Sequence, residues 1–297
     1  MIDSGWLWAL FTVIAAGAQT ARNAMQRELT GALGTVGATH VRFLFGLPFA
    51  LLFLAAVAVA SGTALPRPGP TFWPWIIDGA LAQIIATAFM LAAMHHRSFV
   101  VTIAYIKTEP VQVALFEFAL LGVVVTWPMA VAIVIATAGV VVMSLRPGAT
   151  GSAKATLLGL AAGSMFGLSA IGYRGAILSL HEQNYVMAAT FTLGVGLVMQ
   201  SVTLSAYLWL KDRAVLTAIA RAWRPSLLAG FLGAFASQFW FLAFALATAA
   251  SVRTLALVEV LFAQAISRFI FGQPTSLREA AGIVLVVIGV ALLVWAY

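Results

Sequence analysis

The sequence predicts an all-α integral membrane protein: ten transmembrane helices arranged as two inverted five-helix repeats. Three observations predict it. The first is composition. Of 297 residues, 63% are hydrophobic and 8% charged, and the mean hydropathy is +1.04. A soluble domain carries about 25% charged residues, so a soluble chain of this composition could not cover its own surface. The second is segmentation into apolar stretches of membrane-spanning length, roughly 20 residues each. The third is self-similarity between the two halves of the chain.

The spans fall near 5–27, 36–59, 72–95, 98–121, 127–145, 155–180, 185–210, 225–247, 250–271 and 278–296. Turn chemistry divides them. Thr30-Gly31 and Leu33-Gly34 follow the first span. The run Pro66-Arg67-Pro68-Gly69-Pro70 forbids helix between the second and third. Arg146-Pro147-Gly148 through Gly151-Ser152 separates the halves, which places repeats at 1–148 and 149–297. Gly272-Gln273-Pro274 followed by Ser276 reads as a helix stop and a new N-cap. The divisions at His95-His96-Arg97 and Thr248 require tight turns. The ten spans fill the chain, so no soluble catalytic domain is expected.

A shift of 150 residues superimposes Glu109 on Glu259, Gly122 on Gly272, Gly139 on Gly289 and Thr126 on Ser276. Arg22 and Arg174 nearly coincide. Five spans per half is an odd number, so the second half enters the membrane facing the other way. Inverted repeats of this kind are common in secondary transporters, whose substrate sites lie near the midplane at the repeat interface. Alternating access follows as the expected mechanism.

The net charge of +7 is explained by orientation, and no nucleic-acid partner is expected. Turns after odd-numbered spans carry Arg27, Arg97, Arg146, Lys154, Lys211, Arg213, Arg221, Arg224 and Arg278. Turns after even-numbered spans carry Arg67. The positive-inside rule then puts both termini outside. The absence of cysteine excludes disulfides and thiolate metal sites, and neither a metal nor a cofactor is expected. Asp3, with no Lys or Arg before the first apolar run, argues against a signal peptide.

Ionisable groups inside a membrane cost about 2.5–3.5 kcal/mol each on insertion scales, so they mark function or pairing. Span four holds Tyr105, Lys107, Glu109, Gln112 and Glu117. Tyr105, Glu109 and Gln112 recur at helical spacing and are expected on one face. Lys107, two residues from Glu109, points elsewhere, so Glu109 should find its partner on another span. Span nine holds Arg253, Glu259, Gln264 and Arg268. His40 and Arg42 lie in span two, Gln83 in span three, Tyr173 and Arg174 in span six, and Gln238 and Trp240 in span eight. The candidate substrate-binding set is Glu109, Lys107, Tyr105, Gln112, Gln83, His40, Arg42, Tyr173, Trp240 and Glu259. Structural pairing and snorkelling are the competing roles for the charged members. Gly159, Gly163 and Gly167 form a small-residue stripe suited to close helix approach.

The chain resembles the drug/metabolite transporter superfamily and its EamA-type repeats. The resemblance rests on Thr108-Glu109-Pro110-Val111, on Gly122, Gly272, Gly139 and Gly289, and on Ala21-Arg22-Asn23 through His40-Val41-Arg42-Phe43. Gly122 and Gly272 are followed by Val123 and Gln273, where many members of the superfamily have glutamate. Within the superfamily the chain is most similar to exporters of aromatic amino acids. The resemblance implies a bacterial inner-membrane exporter of small amphipathic metabolites, amino acids included. Exporters of drugs or other metabolites are the near alternative, and a membrane-embedded enzyme or a channel the distant one. No Walker A, His-Glu-x-x-His or Gly-x-Ser-x-Gly sequence is present, so neither ATP hydrolysis nor catalysis is expected. A zwitterion needs a cation for its carboxylate, from Lys107 or Arg42, and Glu109 for its ammonium. Tyr105, Trp240 and Tyr173 would contact its side chain. Proton coupling through Glu109 or Glu259 is one way to drive it, and diffusion down a metabolite gradient is the other. The sequence does not set the oligomeric state, and a monomer is compatible with it.

Overall fold

The computed structural model describes residues 6–96, 105–144, 153–269 and 276–296. Every regular element among them is a helix. In chain order these are α1 (Leu7–Leu44), α2 (Leu47–Ser61), α3 (Phe72–His96), α4 (Glu109–Leu121), α5 (Trp127–Ser144) and α6 (Ala153–Ser179). Then follow α7 (Tyr185–Lys211), α8 (Arg213–Arg221), α9 (Trp223–Leu246), α10 (Ala249–Leu255), α11 (Val258–Phe269) and α12 (Leu277–Ala296). Among the described residues, six stretches are long and apolar enough to cross a bilayer: Leu33–Ser61, Phe72–Met90, Thr156–Ser179, Tyr185–Lys211, Trp223–Leu246 and Leu277–Ala296. Trp127–Met143 is apolar but shorter. The chain is a multi-pass membrane protein.

Local chemistry explains most helix ends. Gly62 closes α2 and Gly122 closes α4, both in the left-handed conformation that glycine adopts without steric cost. There the Gly122 N–H bonds the Phe118 carbonyl at 3.1 Å and the Val123 N–H reaches the Glu117 carbonyl at 3.3 Å, which satisfies carbonyls at the end of α4. Asn184 opens α7 by accepting from the N–H groups of Val186 and Met187. Ser276 and Glu279 form a reciprocal capping box at α12. The turn at Thr248 is as tight as its sequence requires, and its hydroxyl accepts from Ser251 N–H.

Four expectations from the sequence are corrected. The turn expected between spans one and two shrinks to a single non-helical residue, Gly34 (φ 66°), inside α1. Span two is instead broken at Phe45–Gly46, just before Pro48 in the first turn of α2. Spans four and nine are discontinuous. Lys107 and Thr108 form a turn before α4, and Ala256 and Leu257 form one between α10 and α11. The basic turn after span seven contains a helix, α8. The division at Arg146–Ser152 and the stop at Gly272–Pro274 lie outside the described residues.

Contacts gather into two compact units: residues 1–84 with 172–246, and 85–171 with 247–297. Each draws on both sides of residue 148. In the first unit α1 packs along α9, and α7 packs on α2 and α9. Its core includes Leu29, Leu33, Val41, Leu208, Ile219 and Ala229. Helices α3 and α6 approach at Gly79 and Gly172, where an added Cβ on Gly172 would lie 2.5 Å from the Gly79 nitrogen.

In the second unit α5 packs closely along α12 around Ala136, Val140, Val286 and Leu257. Gly139 and Gly282 meet there backbone to backbone. A Cβ on Gly139 would lie 2.7 Å from the Gly282 carbonyl oxygen and 2.7 Å from the Val286 nitrogen. Gly139→Val is therefore expected to cost about 1–3 kcal/mol by overpacking. Thermal unfolding in detergent should show a clear fall in Tm against wild type, and an unchanged Tm would mean this contact is not close.

Candidate functional site

The two helix breaks face each other within the second unit and bring four charges together. Lys107, in the turn before α4, donates from Nζ to Glu259 Oε2 at 2.7 Å. Arg253, on α10, places Nε 3.0 Å from Glu109 Oε1. Glu109 is the first residue of α4 and Glu259 lies in the first turn of α11. Each glutamate thus sits just after a break and pairs with a cation from just before the opposite one. Glu109 is 7% exposed and Glu259 9%, so little water screens either pair. The expectation that Glu109 has its partner on another span is met, and Lys107 serves the other glutamate.

Sequence dictates the first break. Pro110 offers no N–H and fits only the first turn of a helix, so α4 starts at Glu109. Short-range bonds tighten the turn: Thr108 N–H to Tyr105 carbonyl, Val111 N–H to Thr108 carbonyl, and Thr108 Oγ1 to Tyr105 carbonyl at 2.7 Å. At the second break Leu257 N–H bonds the Thr254 carbonyl and Val260 N–H bonds the Leu257 carbonyl. Both glutamates stand at helix N-termini, where the dipole favours negative charge.

A fifth charge fixes the frame. Glu117 is fully buried, and its two carboxylate oxygens accept from Ala249 N–H at 2.8 Å and Ala250 N–H at 2.9 Å. It ties the last turn of α4 to the first turn of α10, the helix that carries Arg253.

The break also separates residues expected on one face. Tyr105 precedes the turn while Glu109 and Gln112 follow it, so no continuous helix aligns the three. Tyr105 packs on Gly159, Ile106 on Gly163 and Val113 on Gly167, so the glycine stripe of α6 receives the broken span. Gln112 accepts from Ser164 Oγ at 2.6 Å and donates to Thr108 Oγ1 at 3.0 Å.

The other candidates lie in the first unit. Gln83 accepts from Tyr173 Oη at 3.3 Å and from Gln200 Nε2 at 2.7 Å, and Gln200 also donates to the Ala80 carbonyl. The Tyr173 ring packs on Phe241, with centroids 4.5 Å apart. Trp240 donates to Gln19 Oε1 at 3.2 Å and stacks near Phe244. His40 is fully buried, and its Nε2 lies 2.9 Å from Ser205 Oγ, which ties α1 to α7. Arg42 extends over the Phe43 ring at 5.2 Å. Arg174 bonds the Phe244 carbonyl near the end of α9 at 2.6 Å. The sequence places Gln83 and Tyr173 on separate spans; the structure bonds them directly and adds Gln200, which the sequence reading does not single out. Arg268 is outside the described side chains.

No group of three or more His, Cys, Asp and Glu suited to a metal occurs among the described residues.

Residues 153–295 match the EamA-like transporter family. The match supports a multi-pass membrane protein that transports small molecules, a transporter rather than an enzyme. No curated protein matches the sequence. A solved structure titled "Crystal structure of protein" aligns with a TM-score of 0.73 at 16% identity, covering 99% of this chain and 99% of its own. That likeness is one of fold, and it runs over nearly the whole of both chains.

The paired charges predict a coupling. Lys107→Met should remove the 2.7 Å ion pair with buried Glu259 and cost about 3–5 kcal/mol. The double variant Lys107→Met/Glu259→Met should recover most of that loss. A double-mutant cycle on unfolding measures the difference, and additive effects would mean that the pair does not interact.

Proposed function

We propose that the chain is a secondary transporter that exports small amphipathic metabolites, amino acids including aromatic ones foremost, across the bacterial inner membrane by alternating access. The observation that carries this reading is the crossed pairing of Lys107 with Glu259 and Arg253 with Glu109 at two helix breaks. Discontinuous helices at corresponding positions of two inverted halves are where transporters of this kind bind substrate. Glu109 and Glu259, which the 150-residue shift superimposes, supply that correspondence.

A zwitterion matches such a site in both signs. Its ammonium takes Glu109 or Glu259, and its carboxylate takes Lys107 or Arg253. Without substrate the same four groups neutralise one another, so the empty site carries no naked charge. Tyr105, two residues before Lys107, offers an aromatic ring for the substrate's side chain. A proton on either glutamate would also release its cation, which is the reading's route to coupling.

The test is efflux from liposomes loaded with labelled phenylalanine, tryptophan, methionine or threonine, with and without a pH gradient. Wild type should give saturable efflux of at least one. A charge-assisted hydrogen bond is worth about 1.5–3 kcal/mol, so Glu109→Gln should raise half-saturation about 10- to 100-fold. Efflux of none of the four by folded protein would sink the amino-acid assignment. Efflux untouched by Glu109→Gln would remove that residue from the site.

A further inference from the structure

We propose that α8 and the groove beside it bind one anionic phospholipid, with Arg221 against the lipid phosphate. The argument is independent of what the protein transports. Helix α8 is set between α7 and α9, both of membrane-spanning length, so it lies at the end of both. Val215, Leu216 and Ala218 pack with Ile219 against the core that contains Leu29, Leu33 and Val41. Arg213, Thr217 and Arg221 are exposed along the other side. This is the layout of a helix lying in a bilayer interface.

Charge and shape select the ligand. Lys211, Arg213, Arg221 and Arg224 are all exposed, and the acid within this stretch of sequence is Asp212. Asp212 Oδ1 accepts from Ala214 N–H and serves as the cap of α8. Juxtamembrane clusters of this kind attract anionic lipid headgroups. Trp209 and Trp223 are half exposed on either side. Arg213 stands over the Trp209 ring at 4.3 Å and Arg224 near the Trp223 ring at 5.4 Å. Such amphipathic rings settle at headgroup level.

A groove of about 580 Å³ runs along the helix, lined by Leu33, Ala214, Thr217, Ala218, Arg221 and Ala222. The groove is open along its length, so an occupant would keep one side facing outward. It offers a guanidinium and a hydroxyl over an apolar floor. A free phosphate has no use for the floor, and a neutral lipid has none for the cations. An anionic phospholipid uses both.

The experiment is native mass spectrometry of protein extracted from bilayers of equimolar phosphatidylglycerol and phosphatidylcholine. Wild type should retain phosphatidylglycerol preferentially, and salt should weaken the preference. Each cation near an anionic surface contributes about a fivefold factor. Arg221→Gln should therefore lose about fivefold, and Arg213→Gln/Arg221→Gln more. Arg67→Gln, at a cation in a distant turn, should retain lipid like wild type. These are exposed positions, and an unchanged Tm verifies folding. Three results would overturn the proposal: equal retention of the two lipids, undiminished phosphatidylglycerol on the double variant, or equally tight binding of soluble glycerophosphoglycerol.

Discussion

A charge embedded among apolar helices must be neutralised where it stands, and in the second unit that requirement decides the local architecture. Glu109 and Glu259 cannot be served by their own segments, because the nearest cations in sequence point away. Each is served by the opposite segment, Glu109 by Arg253 and Glu259 by Lys107. Two interrupted helices are thereby fastened twice across the same gap. Glu117 adds a third fastening by holding the start of α10 through two backbone N–H groups. Those donors would otherwise be unsatisfied helix-end groups.

The rest of the molecule uses what remains when hydrophobic contrast is weak. Lipid tails are as apolar as leucine, so helices associate through close packing and interhelical hydrogen bonds. Gly139 against Gly282, and Gly159, Gly163 and Gly167 against residues 105–113, provide the close packing. Gln83 with Gln200, Gln238 with Thr190 and His40 with Ser205 provide the bonds. Hydroxyls without a neighbour turn inward. Thr12, Thr20, Thr39, Thr192 and Thr254 each donate to the carbonyl four residues earlier. That satisfies the hydroxyl on its own helix, so these threonines cost an apolar span little.

Length and apolarity made the long helices legible, and glycine and proline marked several of their ends. Gly122 closes α4 as its place in the sequence suggests, and Ser276 caps α12 as expected. The glutamates were legible because charge is rare in this chain. Their partners were not. Spacing says which residues share a face, but not which faces meet, so Lys107 could be excluded as a partner of Glu109 without its true partner being named. Arg253 and Gln200 escaped for the same reason. The broken spans escaped differently. Pro110 reads equally as a kink within a helix or as the start of one, and hydropathy averages across the interruption. Helix α8 was hidden by its charge, since a basic stretch between spans reads as a turn unless its buried side is looked for.

The crossed pairing bears on how such a site can work. In a low dielectric a lone ion is expensive, and breaking a buried pair by removing one partner costs several kcal/mol. The proposed transport cycle therefore cannot pass through a state in which the four groups simply part. They can part only if something replaces what each loses. A ligand with both charges does so at once, and a proton does so for one glutamate at a time. A ligand with one charge leaves an orphan of its own sign. In the proposed cycle that energetic demand would favour zwitterions without any contact to the substrate's side chain. It also makes opening conditional on occupancy, which is what separates a transporter from a leak.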